Sequence, residues 1–121
     1  DAFKASMFEK LIWICAFIAV GAAHPGATVG DVESTHRAEV VELIEELLKG
    51  SAAEKGVKFE PGSVERLCAY ARAVAHFPTA VKEFEWRNGF FYGISQEAIT
   101  AGDRPDPFPK HTALLKQVGA V

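Results

Sequence analysis

Apolar positions along this chain recur at helical spacing, and no stretch alternates convincingly with the two-residue period of a half-buried strand, so the sequence predicts helices throughout. The first runs from Phe3 to Ala23 and ends at Pro25-Gly26, a pair that cannot continue helical hydrogen bonding. A second is expected over His36 to Lys55, with Val40, Ile44, Leu47 and Leu48 on one face and Glu39, Glu42, Glu45, Glu46 and Lys49 on the other. That division marks a helix lying on a core. Gly50 should weaken or bend its middle, at about 1 kcal/mol relative to alanine, and Gly56 suits its C-terminal stop.

A third helix should begin at Pro61 and turn Val64, Leu67, Cys68, Ala71, Val74 and Ala75 inward until His76-Phe77-Pro78 ends it. Thr79 can cap a fourth, Ala80 to Thr100, which carries Val81, Phe84, Asn88 and Phe91 along one face. After a proline-punctuated loop, a short fifth helix over Lys110 to Val118 packs Leu114 and Leu115. No repeat, low-complexity tract or linker divides the chain. The expectation is one compact, multi-helix, all-α domain covering residues 1–121.

Composition agrees with that picture and narrows the function. With 121 residues, 49% hydrophobic and a net charge of −3, the chain can bury one proper core, and its scattered Lys and Arg give no basic stripe for nucleic acid. Cys15 and Cys68 both sit in apolar helical patterns and make no disulfide framework, which points to a reducing compartment, cytoplasmic or organellar, plastid included. The apolar run Leu11 to Ala23 is thirteen residues, short of the roughly 20 that span a bilayer, so no membrane span is expected. Beginning at Asp1, the chain reads as a processed product or as part of something longer.

Several chemistries lack their residues. There is no Gly-x-Gly-x-x-Gly on a strand-turn-helix, so no dinucleotide is expected to bind this chain. His24, His36, His76 and His111 show none of the short spacings that place two ligands on one helix face, so no metal site is expected and each reads as a surface or capping residue. No nucleophile elbow is present.

One stretch carries a more specific pattern. Lys82-Glu83-Phe84-Glu85-Trp86-Arg87-Asn88-Gly89-Phe90-Phe91 places an acidic residue five positions ahead of Asn-Gly in an aromatic-rich helix. Together with the lysine-bearing helix Phe8-Glu9-Lys10-Leu11-Ile12-Trp13, it resembles the C-terminal helical domain of the ketopantoate reductase (2-dehydropantoate 2-reductase) family. The resemblance implies that Lys10 is the general acid that protonates a ketone oxygen, a task an ammonium suits because it also cancels developing negative charge. It implies that Glu83 orients the substrate, with Asn88, His76 and Thr79 as further substrate contacts. NADPH would then be used only with a nucleotide-binding domain supplied from outside this chain.

Read without the resemblance, Lys10 is a solvent-facing helical lysine and Glu83 a first-turn carboxylate paired with Arg87 four residues on. Ile14 and Ile18 stand where the family carries substrate-binding asparagines on the lysine's own face. Two readings follow. In one, the chain is the substrate-side, dimer-forming domain of a ketopantoate-reductase-like NADPH-dependent oxidoreductase, not catalytic by itself. In the other, it is a non-catalytic scaffold or accessory subunit of a larger assembly, with an apolar patch drawn from Leu11 to Val20 or Phe84 to Tyr92 facing the partner.

Overall fold

The computed structural model describes residues 2–24, 26–59, 61–77, 88–102 and 104–119. They form six helices and no strand: α1 (Ala2–Ala23), α2 (Val29–Ser34), α3 (Arg37–Lys55), α4 (Ser63–Ala73), α5 (Asn88–Thr100) and α6 (Pro109–Gln117). The all-α class expected from periodicity is the class observed. Helix α1 is the central element, packed against α2, α3, α4 and α6. Its Ile12, Cys15, Ala16, Phe17, Ala19 and Val20 are covered almost completely, which accounts for the apolar run. The helix also takes in the mixed residues before that run, so Phe3–Ala23 is long and apolar enough to cross a bilayer by length and composition, with 44% of its apolar stretch buried in the fold.

The short α2 escaped the periodicity argument because six residues make less than two turns. Its start is nevertheless written in the sequence as a capping box. The Thr28 hydroxyl accepts from the Asp31 amide at 3.3 Å, and the Asp31 carboxylate accepts from the Thr28 amide at 3.0 Å. The amides of Val29 and Gly30 then donate to the carbonyls of Phe77 and Ala75, at 2.8 and 2.9 Å, joining this helix to the segment after α4. A Cβ on Gly30 would come within 2.6 Å of the Ala75 Cβ, so this approach needs glycine.

Helix α3 begins one residue after His36 and ends at Gly56, whose φ of +66° gives the left-handed cap expected of it. Gly50 does not interrupt it. This glycine is buried against the Phe108 ring, which a Cβ there would overlap. Its role is close approach rather than a weak point. Phe108 packs edge-on against Phe91 of α5, centroids 5.3 Å apart, at the centre of the core.

Helix α4 starts at Ser63 rather than Pro61, because Gly62 with φ +86° turns the chain into it, and it ends at Ala73. Val74 and Ala75 therefore lie past its end, only partly buried. Residues 80–87 of the expected fourth helix lie outside the described residues, as do Thr79 and Glu83. Helix α6 has Pro109 in its first turn and no side-chain cap of its own. Glu46 of α3 supplies one, accepting from the amides of Lys110 and His111 at 3.0 Å each.

Candidate functional site

A groove of about 800 Å³ opens between α1 and α4, within the size range of small-ligand sites. Its apolar part is Trp13, Ile14, Leu67 and Tyr70, and its polar part is Ser6, Glu9, Lys10, Lys58 and Arg66. The helical period explains the α1 side: Ser6, Lys10, Trp13 and Ile14 follow at intervals of four, three and one residues and share one flank of the helix. On the far wall the Tyr70 ring meets Trp13 edge-on, centroids 4.8 Å apart. The indole Nε1–H of Trp13 is buried without an acceptor among the described residues.

The charges of the groove are not equivalent. Arg66 forks onto Glu9, with Nε to Oε1 at 2.9 Å and Nη2 to Oε2 at 3.0 Å, and its Nη1 donates to the Pro61 carbonyl at 2.7 Å. The Ser63 hydroxyl donates to the same Glu9 carboxylate at 3.3 Å. That fork ties α4 to α1 and uses the Glu9 charge internally. Lys10 and Lys58 make no ion pair among the described residues, and both are exposed. Lys58 follows the Gly56 cap, with the buried Val57 holding the chain to the fold just before it. One paired and two unpaired cations against a single carboxylate leave the groove net positive over an apolar floor.

The residues proposed from the sequence are distributed unevenly around this site. Lys10 and Ile14 line it. Ile18 does not, and Glu83 and Thr79 lie outside the described residues. His76 is exposed beyond the end of α4 with its ring edge-on to Phe77, away from the groove. Asn88 is a correction. It is fully buried, donates to the Cys15 carbonyl at 3.2 Å and lies 3.0 Å from His111 Nε2, so its amide serves the core and cannot meet a substrate in the groove.

Two polar groupings were missed. At the edge of the core, the half-buried Asp106 accepts from Ser95, Thr112 and the Phe108 amide. Burial works against its charge, but those hydrogen bonds prevail and hold its carboxyl below the ordinary range. At the surface, His24 and His36 stack ring on ring, centroids 3.7 Å apart and planes 6° from parallel, with His24 Nε2 2.8 Å from Glu39 Oε2. The spacing argument against paired histidines considered one helix at a time. Here α2 folds the chain back, so residues twelve apart become neighbours.

The exposed apolar surface also differs from expectation. Most of Leu11 to Val20 is covered, whereas Phe3 and Met7 are 72% and 57% exposed. Within Phe84 to Tyr92, Phe90 is at the surface. Compared with family models, curated proteins and solved structures, the chain matches none, and nothing there links it to ketopantoate reductase.

Proposed function

We propose that this chain is a ligand-binding helical domain whose α1/α4 groove holds a small 2-oxo carboxylate with a branched apolar tail, as the substrate-side half of a ketopantoate-reductase-like oxidoreductase. The observation that carries this reading is the presence of two lysines with no ion pair among the described residues, Lys10 and Lys58, on a groove floored by Trp13, Ile14, Leu67 and Tyr70. A carboxylate gains from both ammonium groups, and the tail gains by leaving water for the aromatic floor. Lys10 would give a proton to the ketone oxygen as negative charge grows there. The residues present do not fit a nicotinamide cofactor, since no glycine-rich phosphate turn exists in the chain, so reduction requires another domain.

Isothermal titration calorimetry with branched-chain 2-oxo acids tests this. Saturable binding is expected, weakened about tenfold by Lys10→Ala and by Lys58→Ala, the factor that corresponds to roughly 1.4 kcal/mol. The remote, exposed Lys116→Ala should leave it unchanged. No saturable binding at millimolar ligand, or indifference to both lysine substitutions, would remove the proposal.

A specific feature favours the accessory-subunit reading as the second. Phe3, Met7, Lys10 and Ile14 follow one another at three- and four-residue intervals along α1, so the two most exposed apolar side chains continue the groove toward the helix start. A partner helix laid there would cover both. Concentration-dependent association in light scattering, abolished by Phe3→Ser with Met7→Ser, would support that reading; a monomer at all concentrations would count against self-association.

A further inference from the structure

We propose that His24, His36 and Glu39 form a binding site for one divalent transition-metal ion of the zinc, cobalt and nickel class. One ring nitrogen of each histidine and one carboxylate oxygen of Glu39 all lie within 4.8 Å of one another. Ligands around a tetrahedral ion at about 2.0–2.2 Å lie on the order of 3.4 Å apart, so the cluster is within about an ångström and a half of a bound geometry. Two imidazoles and one carboxylate are the donor set that borderline divalent ions take, with the fourth position left to water.

The position of the cluster makes the arrangement accessible. His24 follows the end of α1, His36 is the residue before α3, and Glu39 lies in the first turn of α3. The side chains of His24 and Glu39 are 36% and 40% exposed, which leaves room for an ion to arrive. Nearly parallel rings would hold an ion out of both planes, so the stack must open when metal binds. His36 can open it. Its side chain makes no capping bond to α3, and its ring nitrogens hold no hydrogen bond among the described residues, so rotation about χ2 gives up the stacking contact without breaking a hydrogen bond there. His24 is already held against Glu39. Two of the three ligands are thus prearranged and the third is free to turn. Cys15 and Cys68 are buried in the core and take no part.

The test is metal titration of the full chain: cobalt(II) followed by its visible ligand-field bands, and zinc(II) by competition with a chromophoric chelator. One ion per chain is expected. Affinity should fall at least tenfold in each of His24→Ala, His36→Gln and Glu39→Gln, and stay unchanged in His76→Ala, whose ring lies outside the cluster. Circular dichroism of each variant separates lost binding from lost fold, and the half-exposed ligands should leave the fold intact. Saturating zinc should also raise the melting temperature of the parent chain and not of His36→Gln. A cobalt–thiolate charge-transfer band, a stoichiometry other than one, or unchanged affinity in the folded His24 and His36 variants would overturn the proposal.

Discussion

Asn88 and His111 lie against each other in the core, Nδ2 of the amide 3.0 Å from Nε2 of the ring. Since an amide NH₂ can only donate, Nε2 must be the unprotonated nitrogen, and the same NH₂ group also donates to the Cys15 carbonyl. One buried amide thereby links α5 to α6 and to α1. A proton arriving on Nε2 would break that link. Burial, opposed by the nearby Asp106 carboxylate, pushes the His111 pKa down to about 4.

That shift sets an acid limit on stability. The folded ring stays neutral where the unfolded one, near 6.5, takes up a proton, so the unfolded state binds more protons between pH 6.5 and about 4. Stability is expected to fall through that window by up to about 3 kcal/mol, and to be insensitive to this group above pH 7. Urea unfolding from pH 7.5 to 4 measures it. In His111→Gln the slope between pH 6.5 and 5 should shrink, and an unchanged slope would assign the effect elsewhere.

Gly50→Ala should destabilise the chain by about 1–3 kcal/mol although alanine is the better helix former, because the added methyl overlaps the Phe108 ring. The double substitution Gly50→Ala with Phe108→Leu should recover part of the loss. Thermal melts of the four combinations decide it, and simple additivity would contradict the overlap.

Glu33 of α2, 8% exposed, receives Arg37 of α3 and, at 3.0 Å, Arg72 of α4. One carboxylate therefore fastens three helices. Glu33→Gln keeps the shape and removes the charge, and should cost about 1–2 kcal/mol in chemical unfolding, since both arginines remain half in water. The difference should narrow at high salt.

Glu9→Gln is expected to raise affinity for a small carboxylate several-fold, because it removes the one negative charge among the described residues lining the α1/α4 groove and loosens the Arg66 fork. Calorimetry with the same 2-oxo acids checks the direction. Weaker binding would mean that Arg66 acts only while Glu9 holds it in place.

Legibility in the sequence followed the length and regularity of each element. Helix α1, the body of α3 and α6 were readable because their apolar positions repeat over several turns or because Gly56 marks an end and Pro109 a start. Helix α2 was not, although Thr28 and Asp31 spell out its cap, since a single turn has no period to detect. Lys10 could be found as a candidate from local context, but its neighbours Lys58, Arg66 and Tyr70 come from two other segments. Their convergence depends on how α4 docks. The same limit applies to His24 and His36: sequence spacing measures distance along a helix, and their contact is made by a reversal of the chain.

Because α1 is covered jointly by α2, α3, α4 and α6, it cannot finish burying its apolar faces until α6 has been made. A ribosome paused before Pro109 would hold a nascent chain with Phe91 lacking its Phe108 and His111 neighbours and with α1 open along the side α6 occupies. Folding of this domain therefore waits for α6 to leave the exit tunnel. Until then the apolar α1 stays open, the kind of segment that chaperones hold during translation.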